Sequence, residues 1–228
     1  MPFYHDIDIK CGHNYEKYRE QQRYQFSCCF FVAHDLLVLL NWNERVNSGE
    51  SQMNTNKPAL PGRCYWVIPD RFLAGSFPYN PGIDNPHDFL LNLLGNKIDA
   101  FIDLTEEDEL VHYQPVLAGL TGKDILYMRF AIVDYSIPEL EEMQQIVSTI
   151  NSLLEAGQRI YLHCRGGIGR TGTVVGCWLK NQGYDSETAL AELSQLFSAS
   201  NAARFTSSPE TKEQRDFVRS FLSGASKP

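Results

Sequence analysis

The sequence has little positive charge. Its 228 residues include 20 Lys and Arg against 28 Asp and Glu, which gives a formal net charge of −8. Domains that bind nucleic acid carry clustered basic residues, so this balance argues against a nucleic-acid partner. An anionic ligand must therefore be held by local donors, because the mean field of the protein repels it.

Cysteines with the spacing of a zinc site are also missing. None of the six cysteines forms a C-x-x-C pair, so we predict neither a metal nor another cofactor. The even number could suggest disulfides, but in a chain of this size without a secretory leader we favour reduced thiols. The six are Cys11, Cys28, Cys29, Cys64, Cys164 and Cys177.

No segment has the length and apolarity of a bilayer span. The most apolar stretch, residues 26–42, is short for a span of about 20 residues and carries His34 and Asp35 at its centre. The first residues lack a basic region followed by an apolar one. We interpret 26–42 as a buried or partner-facing helix, and we predict a cytoplasmic protein without a membrane partner.

The chain divides by composition into two parts. Residues 1–60 form an N-terminal extension with one predicted helix and, at 47–58, a polar segment typical of a linker. Residues 61–224 form one domain in which apolar strand patterns alternate with helical ones. We predict strands at 65–68, 72–74, 100–104, 125–133 and 159–163, and helices at 86–94, 138–154, 171–181, 186–197 and 209–221. This alternation predicts an α/β fold whose central, mainly parallel sheet is flanked by helices.

The most informative segment lies between the last strand and the helix after it. Residues 163–172 read His-Cys-Arg-Gly-Gly-Ile-Gly-Arg-Thr-Gly. A free cysteine has a pKa of about 8.5, and a helix N-terminus favours its thiolate. Glycines allow a tight loop whose N–H groups hold an anion, and arginine grips two oxygens at once. The segment therefore predicts a phosphate-binding loop with Cys164 as nucleophile and Arg170 as clamp. The alternative is a strand–turn–helix junction whose glycines serve packing only.

Several other residues of this loop are given supporting roles. Thr171 could donate a hydroxyl hydrogen bond to the thiolate, and His163 is expected to orient the loop through backbone contacts. The predicted phosphate-binding residues are Arg165, Gly166, Gly167, Ile168, Gly169 and Arg170.

The pattern His163-Cys164, five residues, Arg170-Thr171-Gly172 resembles the signature of the protein tyrosine phosphatase superfamily. It is most similar to the compact dual-specificity branch, and the resemblance covers residues 65–221 but not 1–60. It implies that 61–224 is a catalytic domain that hydrolyses phosphomonoesters through a cysteinyl-phosphate.

The resemblance also implies an aspartate as general acid, on a loop upstream of the cysteine. Asp134, with Pro138 four positions later, lies about 30 residues before the cysteine and fits that loop. Protonation of the leaving oxygen needs such a group. Two alternatives stay open: Asp134 caps the following helix, or the acid lies in the acidic run 106–109, which is otherwise a solvated loop.

The substrate is less directly indicated. Relatives that act on phosphoinositides often carry lysines in the loop, whereas this loop has only Arg165. We therefore predict a phosphorylated protein as partner, with phosphotyrosine and, in a shallow site, phosphoserine and phosphothreonine as substrates. A small metabolite, nucleotide or phosphoinositide substrate is the alternative, and a non-catalytic phosphate-binding module is another. The resemblance also suggests Gln214 as a residue that holds the hydrolytic water. The oligomeric state is left open.

Overall fold

Five short strands, most of them rich in apolar and aromatic residues, form the sheet of the protein. The computed structural model describes residues 60, 63–122 and 125–222. Its strand order is β1-β2-β5-β3-β4, with β1 and β2 antiparallel and the other neighbours parallel. The predicted α/β fold with a mainly parallel sheet is confirmed. The strands are β1 (Cys64–Ile68), β2 (Phe72–Gly75), β3 (Ala100–Asp103), β4 (Leu126–Arg129) and β5 (Ile160–His163).

Six α-helices and one short 3-10 helix surround the sheet within the described ranges. Alternate residues of a strand point to opposite faces, so Phe101 and Ile102 enter two different apolar clusters. One cluster includes residues of α1 and α2, and the other includes residues of α3 to α6. The helices are α1 (Asp88–Gly95), α2 (Gln114–Thr121), α3 (Leu140–Glu155), α4 (Gly169–Asn181), α5 (Ser186–Phe197) and α6 (Lys212–Ser220), with the 3-10 helix at Asn201–Arg204.

Strand β5 is the centre of this architecture. It pairs with β2 on one side and β3 on the other, and all four of its residues are buried. A strand that is paired at both edges and covered on both faces has little freedom to move. The residue that follows it, Cys164, therefore starts from a rigid support.

Several predicted bounds need correction. The helix predicted from residue 86 begins at Asp88, after His87. The strand predicted at 125–133 ends at Arg129, because the following residues form a loop. The helix predicted at 209 begins at Lys212, capped by Thr211 and Gln214 in a capping box. Helix α2 was missed, since it is only eight residues long and contains a proline and a glycine.

Other predictions fall on residues that the structure does not describe. The N-terminal extension, with its helix at 26–42 and its linker at 47–58, is outside the described ranges. Of the helices that are described, none is long and apolar enough to cross a membrane. The cytoplasmic location and the domain boundary at residue 60 stay predictions.

Candidate active site

Cys164 lies between the end of β5 and the start of α4. Its side chain is buried, and the N–H of Gly167 donates to its Sγ at 3.3 Å. Helix α4 begins at Gly169, two residues before the predicted start. The first N–H groups of a helix have no intrahelical partner, and its N-terminus carries partial positive charge. An anion bound beside the loop therefore faces an environment that favours negative charge.

Gly167 is required at its position for two separate reasons. Its φ of +72° is in the left-handed region that side chains disfavour. A Cβ there would also lie 2.4 Å from the carbonyl carbon of Gly75 and 2.6 Å from the backbone nitrogen of Ser76. The phosphate loop thus packs directly on the end of β2, which fixes the turn that brings the Gly167 N–H to the sulfur.

Arg170 is buried on the first turn of α4, and its guanidinium is held from several sides. Nη1 and Nη2 donate to the two carboxylate oxygens of Glu109 at 2.6 and 2.8 Å. Nη1 also donates to the Ile132 carbonyl at 2.9 Å, and Nη2 lies 2.8 Å from Oδ1 of Asp134. Its Nε–H is buried and has no partner among the described residues. That donor is free to bind an oxygen of a phosphate group.

Glu109 is a site residue that the sequence did not single out. The acidic run 106–109 was interpreted as a solvated loop or an alternative source of the acid, yet the Glu109 side chain is only 7% exposed. Burial alone would raise its pKa, but hydrogen bonds from Arg170 and Arg165 outweigh burial and lower it to about 2. Glu109 is therefore ionised at neutral pH and unsuited to donate a proton. For this residue, the alternative that the general acid lies in the run 106–109 is corrected.

We expect Glu109→Gln to destabilise the protein in a pH-dependent way. The folded-state pKa of Glu109 is below its unfolded value. The ionised carboxylate therefore contributes fully to the free energy of unfolding above about pH 4.5. This contribution is lost as the pH falls toward 2. At pH 7 the variant should lose about 1.5–3 kcal/mol of unfolding free energy, because the charge-assisted hydrogen bonds from Arg170 and Arg165 lose their anionic acceptor.

Urea unfolding at several pH values measures this effect. Asp108→Asn, an exposed change in the same loop, is the control and should stay close to wild type. A stability loss in Glu109→Gln that is equal at pH 7 and at pH 3 would contradict the ionic explanation.

Behind the loop, His163 is fully buried. Its Nε2 pairs with the Tyr113 hydroxyl at 2.5 Å, and its Nδ1 lies 3.4 Å from the Cys164 carbonyl. Burial lowers the pKa of His163, while the Asp103 carboxylate, 3.8 Å from Nδ1, opposes that shift. The ring thus contacts the main chain at the nucleophile, as an orienting residue would, and Tyr113 is a partner that the sequence gave no signal for.

Asp134 lies on the loop between β4 and α3. Its side chain is 43% exposed and reaches the Arg170 guanidinium. Helix α3 is preceded by Glu139 as its N-cap residue, so the interpretation of Asp134 as a helix cap is wrong. The neighbouring Val133 and Tyr135 are exposed hydrophobic side chains. The structure therefore brings a partly solvated carboxyl group to the arginine beside the nucleophile.

Two residues of the predicted loop make contacts that differ from those expected. The Thr171 hydroxyl donates to the Gly75 carbonyl at 3.5 Å, and its bond to the thiolate stays a prediction. The Arg165 Nε donates to Glu109 at 3.0 Å, and its side chain is directed to that carboxylate.

Gln214 reaches the site from the start of α6 and is fully buried. Its Oε1 accepts from the N–H groups of Glu210 and Thr211, and its Nε2 donates to the Ser136 carbonyl at 3.1 Å. A Cβ on Gly169 would meet this amide at 2.9 Å. The side chain thus connects three segments: the cap of α6, the loop that carries Asp134, and the phosphate loop.

The site combines three features. A buried cysteine follows a central parallel strand, a glycine loop comes next, and a buried arginine follows the loop. This arrangement can hold a phosphate-like anion against a cysteine nucleophile. Comparison with known proteins agrees with this interpretation. The family model described as "Polymorphic toxin system, DSP-PTPase phosphatase" matches residues 80–184.

Individual relatives extend the match. An uncharacterized protein of Methanocaldococcus jannaschii is 33% identical over 147 residues, which cover 64% of this chain and 85% of that protein. Tyrosine-protein phosphatase cdc-14 of Caenorhabditis elegans is 24% identical over 128 residues, only 17% of its length. The chain belongs to the dual-specificity and protein tyrosine phosphatase superfamily, and it is a phosphatase of that superfamily.

Solved structures show the same fold. The active form of Tk-PTP superposes with a TM-score of 0.52 at 22% identity, covering 73% of this chain and 96% of that one. The catalytic core of the PP-IP phosphatase SIW14 from S. cerevisiae gives a TM-score of 0.55 at 18% identity, with 73% and 89% covered. At these identities the likeness establishes the fold and leaves the substrate undecided.

Proposed function

We propose that the chain is a protein phosphatase that hydrolyses phosphotyrosine through a cysteinyl-phosphate, with residues 61–224 as its catalytic domain. A shallow site would also admit phosphoserine and phosphothreonine. The observation that carries the chemistry is a buried Cys164 that interacts electrostatically with a buried Arg170, whose Nε–H is unpartnered within the described ranges. A buried donor of this kind is costly unless a ligand uses it.

In the first step the Cys164 thiolate attacks phosphorus, and the bond to the leaving oxygen breaks. Arg170 and the N–H groups of the loop stabilise the charge on the three non-bridging oxygens. Asp134 gives its proton to the leaving alkoxide or phenoxide. The products of this step are the free alcohol and phosphate bound to sulfur.

In the second step water attacks the phosphorus of the cysteinyl-phosphate. Asp134, now ionised, takes a proton from that water, and the thiolate leaves. Phosphate is released and both residues return to their starting protonation states. The loop and Arg170 supply the positive charge that this sequence of steps needs.

A protein substrate is supported by the charges around the loop. Arg165, the other cation of the phosphate loop, is paired with Glu109, so it adds little net attraction for a second phosphate. Glu107 and Asp108 are exposed nearby in the same acidic run. A substrate with several phosphates would meet carboxylates outside the loop, whereas a single phosphate on a protein would not need further cations.

The alternative substrates are small phosphorylated metabolites, nucleotides and phosphoinositides. Two similar structures are those of a PP-IP phosphatase and of PTPMT1 in complex with PI(5)P. A panel of a phosphotyrosine peptide, a phosphothreonine peptide, a phosphoinositide and a nucleotide decides between the classes. We expect the highest kcat/KM on the phosphotyrosine peptide, and a preference for any non-protein member would overturn the proposal.

Gln214 provides a separate test of how the site is built. We propose that it anchors the loop of Asp134 through Ser136, in place of the water-holding role that the resemblance implied. Gln214→Glu keeps an acceptor for the α6 cap but removes the donor to the Ser136 carbonyl. We expect kcat on alkyl phosphates to fall about tenfold or more, because displaced catalytic groups lose rate steeply.

Rapid-quench kinetics separates the two roles of Gln214. Loss of the anchor displaces Asp134 and therefore slows both formation and breakdown of the cysteinyl-phosphate, whereas loss of a water-holding residue slows breakdown alone. The neighbouring exposed change Glu213→Gln is the control and should behave as wild type. A Gln214→Glu variant that forms the intermediate at the wild-type rate and accumulates it would refute the anchoring role.

A further inference from the structure

A surface hollow opens beside the phosphate loop, between the end of β2 and the helix α1. It has a volume of about 560 Å³ and is lined by residues between Phe77 and Asn92. The N–H of Phe77 donates to the Arg165 carbonyl at 3.1 Å, and its ring contacts the His163 ring edge-on at 5.7 Å. One wall of the hollow is therefore bonded to the loop that carries Cys164.

The lining of the hollow combines aromatic rings with negative charge. Phe77, Tyr79 and Phe89 contribute rings, and Asp84 and Asp88 contribute exposed carboxylates. The lining residues include no Lys or Arg. A cationic side chain is stabilised both by carboxylates and by the faces of aromatic rings. An anionic group would meet two negative charges without a compensating cation in the lining.

The loop that lines the hollow is held in place by contacts between its own residues. The Tyr79 ring stacks on His87 at 5.9 Å, and the Asn80 side chain accepts from the N–H of Gly82 at 3.0 Å. Asp88 lies on the first turn of α1, so its position is set by a helix. Rings and carboxylates held in this way can recognise a ligand without first being ordered.

We propose that this hollow binds a Lys or Arg side chain of the substrate, close in sequence to the phosphorylated residue. The inference rests on the proposed function, because it specifies which phosphoproteins the site prefers. An extended peptide advances about 3.3 Å per residue, so a basic residue within a few positions of the phosphate would reach the hollow. The enzyme thereby selects phosphorylated segments with a flanking positive charge.

The test compares phosphotyrosine peptides that carry one Arg at successive positions on either side of the phosphotyrosine with a peptide that lacks it. Wild type should cleave the best Arg peptide with a kcat/KM about fivefold above the neutral peptide, through KM, as expected for exposed ion pairs. Asp84→Asn/Asp88→Asn should remove this preference. Activity on the neutral peptide and on p-nitrophenyl phosphate should not change.

A matched control removes two charges elsewhere. Glu155 and Glu192 belong to α3 and α5, which pack on the other face of the sheet from α1. Glu155→Gln/Glu192→Gln should keep the preference for the Arg peptide, and a loss of preference there would attribute it to net charge and overturn the subsite. Raising the salt concentration should reduce the preference of wild type.

The possible failures are distinguishable. If wild type cleaves Arg and neutral peptides equally, the subsite is refuted while the proposed phosphatase function stands, and this comparison needs no variant. If wild type hydrolyses p-nitrophenyl phosphate but none of the peptides, the proposed protein substrate is wrong and the subsite is overturned with it.

Discussion

Cys164→Ser is expected to abolish turnover of p-nitrophenyl phosphate, with a loss of at least about 10⁴-fold in kcat. A hydroxyl at this position is a far weaker nucleophile than a thiolate, and the loop provides no base to activate it. The phosphate-binding groups are unchanged, so the variant should still bind vanadate or phosphate. Steady-state kinetics and tryptophan fluorescence titration with vanadate measure the two properties separately.

The control for this experiment is a second buried cysteine. Cys177 lies in the core on α4 and contacts apolar residues, and burial raises its pKa far above the ordinary value. Cys177→Ala removes a thiol without touching the loop, so it should retain activity provided that its melting temperature shows a folded protein. Chemical quench of wild type with ³²P-labelled substrate should trap a cysteinyl-phosphate that Cys164→Ser lacks. Equal rates for Cys164→Ser and wild type would refute the mechanism, and vanadate binding without turnover by wild type would indicate a phosphate-binding module.

The strand–loop–helix arrangement around Cys164 could be predicted because all of its parts are contiguous. A strand, a cysteine, three glycines, an arginine and a helix occupy one short stretch of sequence, and the local geometry of each part follows from residue type. The structure moved the helix start only from Thr171 to Gly169. This shift matters, because it places Arg170 within the first turn, where its side chain faces the end of β3 and the loop of Asp134.

The partners of that loop could not be predicted in the same way. Glu109 is 61 positions from Arg170, and Tyr113 is 50 positions from His163. Within an acidic run, the sequence does not indicate which carboxylate turns inward, since that depends on the path of the chain after β3. Arg170 could therefore be assigned from the motif, but Glu109, which accepts hydrogen bonds from its guanidinium, could not.

Gln214 was predicted from the sequence as a site residue, but its hydrogen-bond partners were not. The start predicted for the last helix, at Pro209, made Gln214 an ordinary position within it. The capping box at Thr211 instead places Gln214 at the third helical residue, where its amide caps the helix and reaches Ser136. A displacement of three residues in a helix start changed the set of groups that a buried side chain could meet.

Asp134→Asn is expected to lower kcat by about 10²–10⁴-fold, the usual contribution of a general acid. Asparagine has nearly the same shape and can still accept from the Arg170 guanidinium, which lies 2.8 Å from Oδ1 in wild type. It has no acidic proton to give to the leaving oxygen. Substrate binding should survive, so the variant would retain phosphoproteins that wild type releases.

The size of this loss should depend on the leaving group. An alkyl phosphate leaves as a strongly basic alkoxide that needs a proton, whereas p-nitrophenolate is stable without one. A series of aryl and alkyl phosphates should therefore give a steep dependence of log kcat on leaving-group pKa in Asp134→Asn and a shallow one in wild type. Asp108→Asn tests the rival acidic run with the same chemical change at an exposed site, and it should retain the shallow dependence. If Asp134→Asn turned over alkyl phosphates at the wild-type rate, the proton would have to come from another group, and the carboxylate beside Arg170 would have only an electrostatic role.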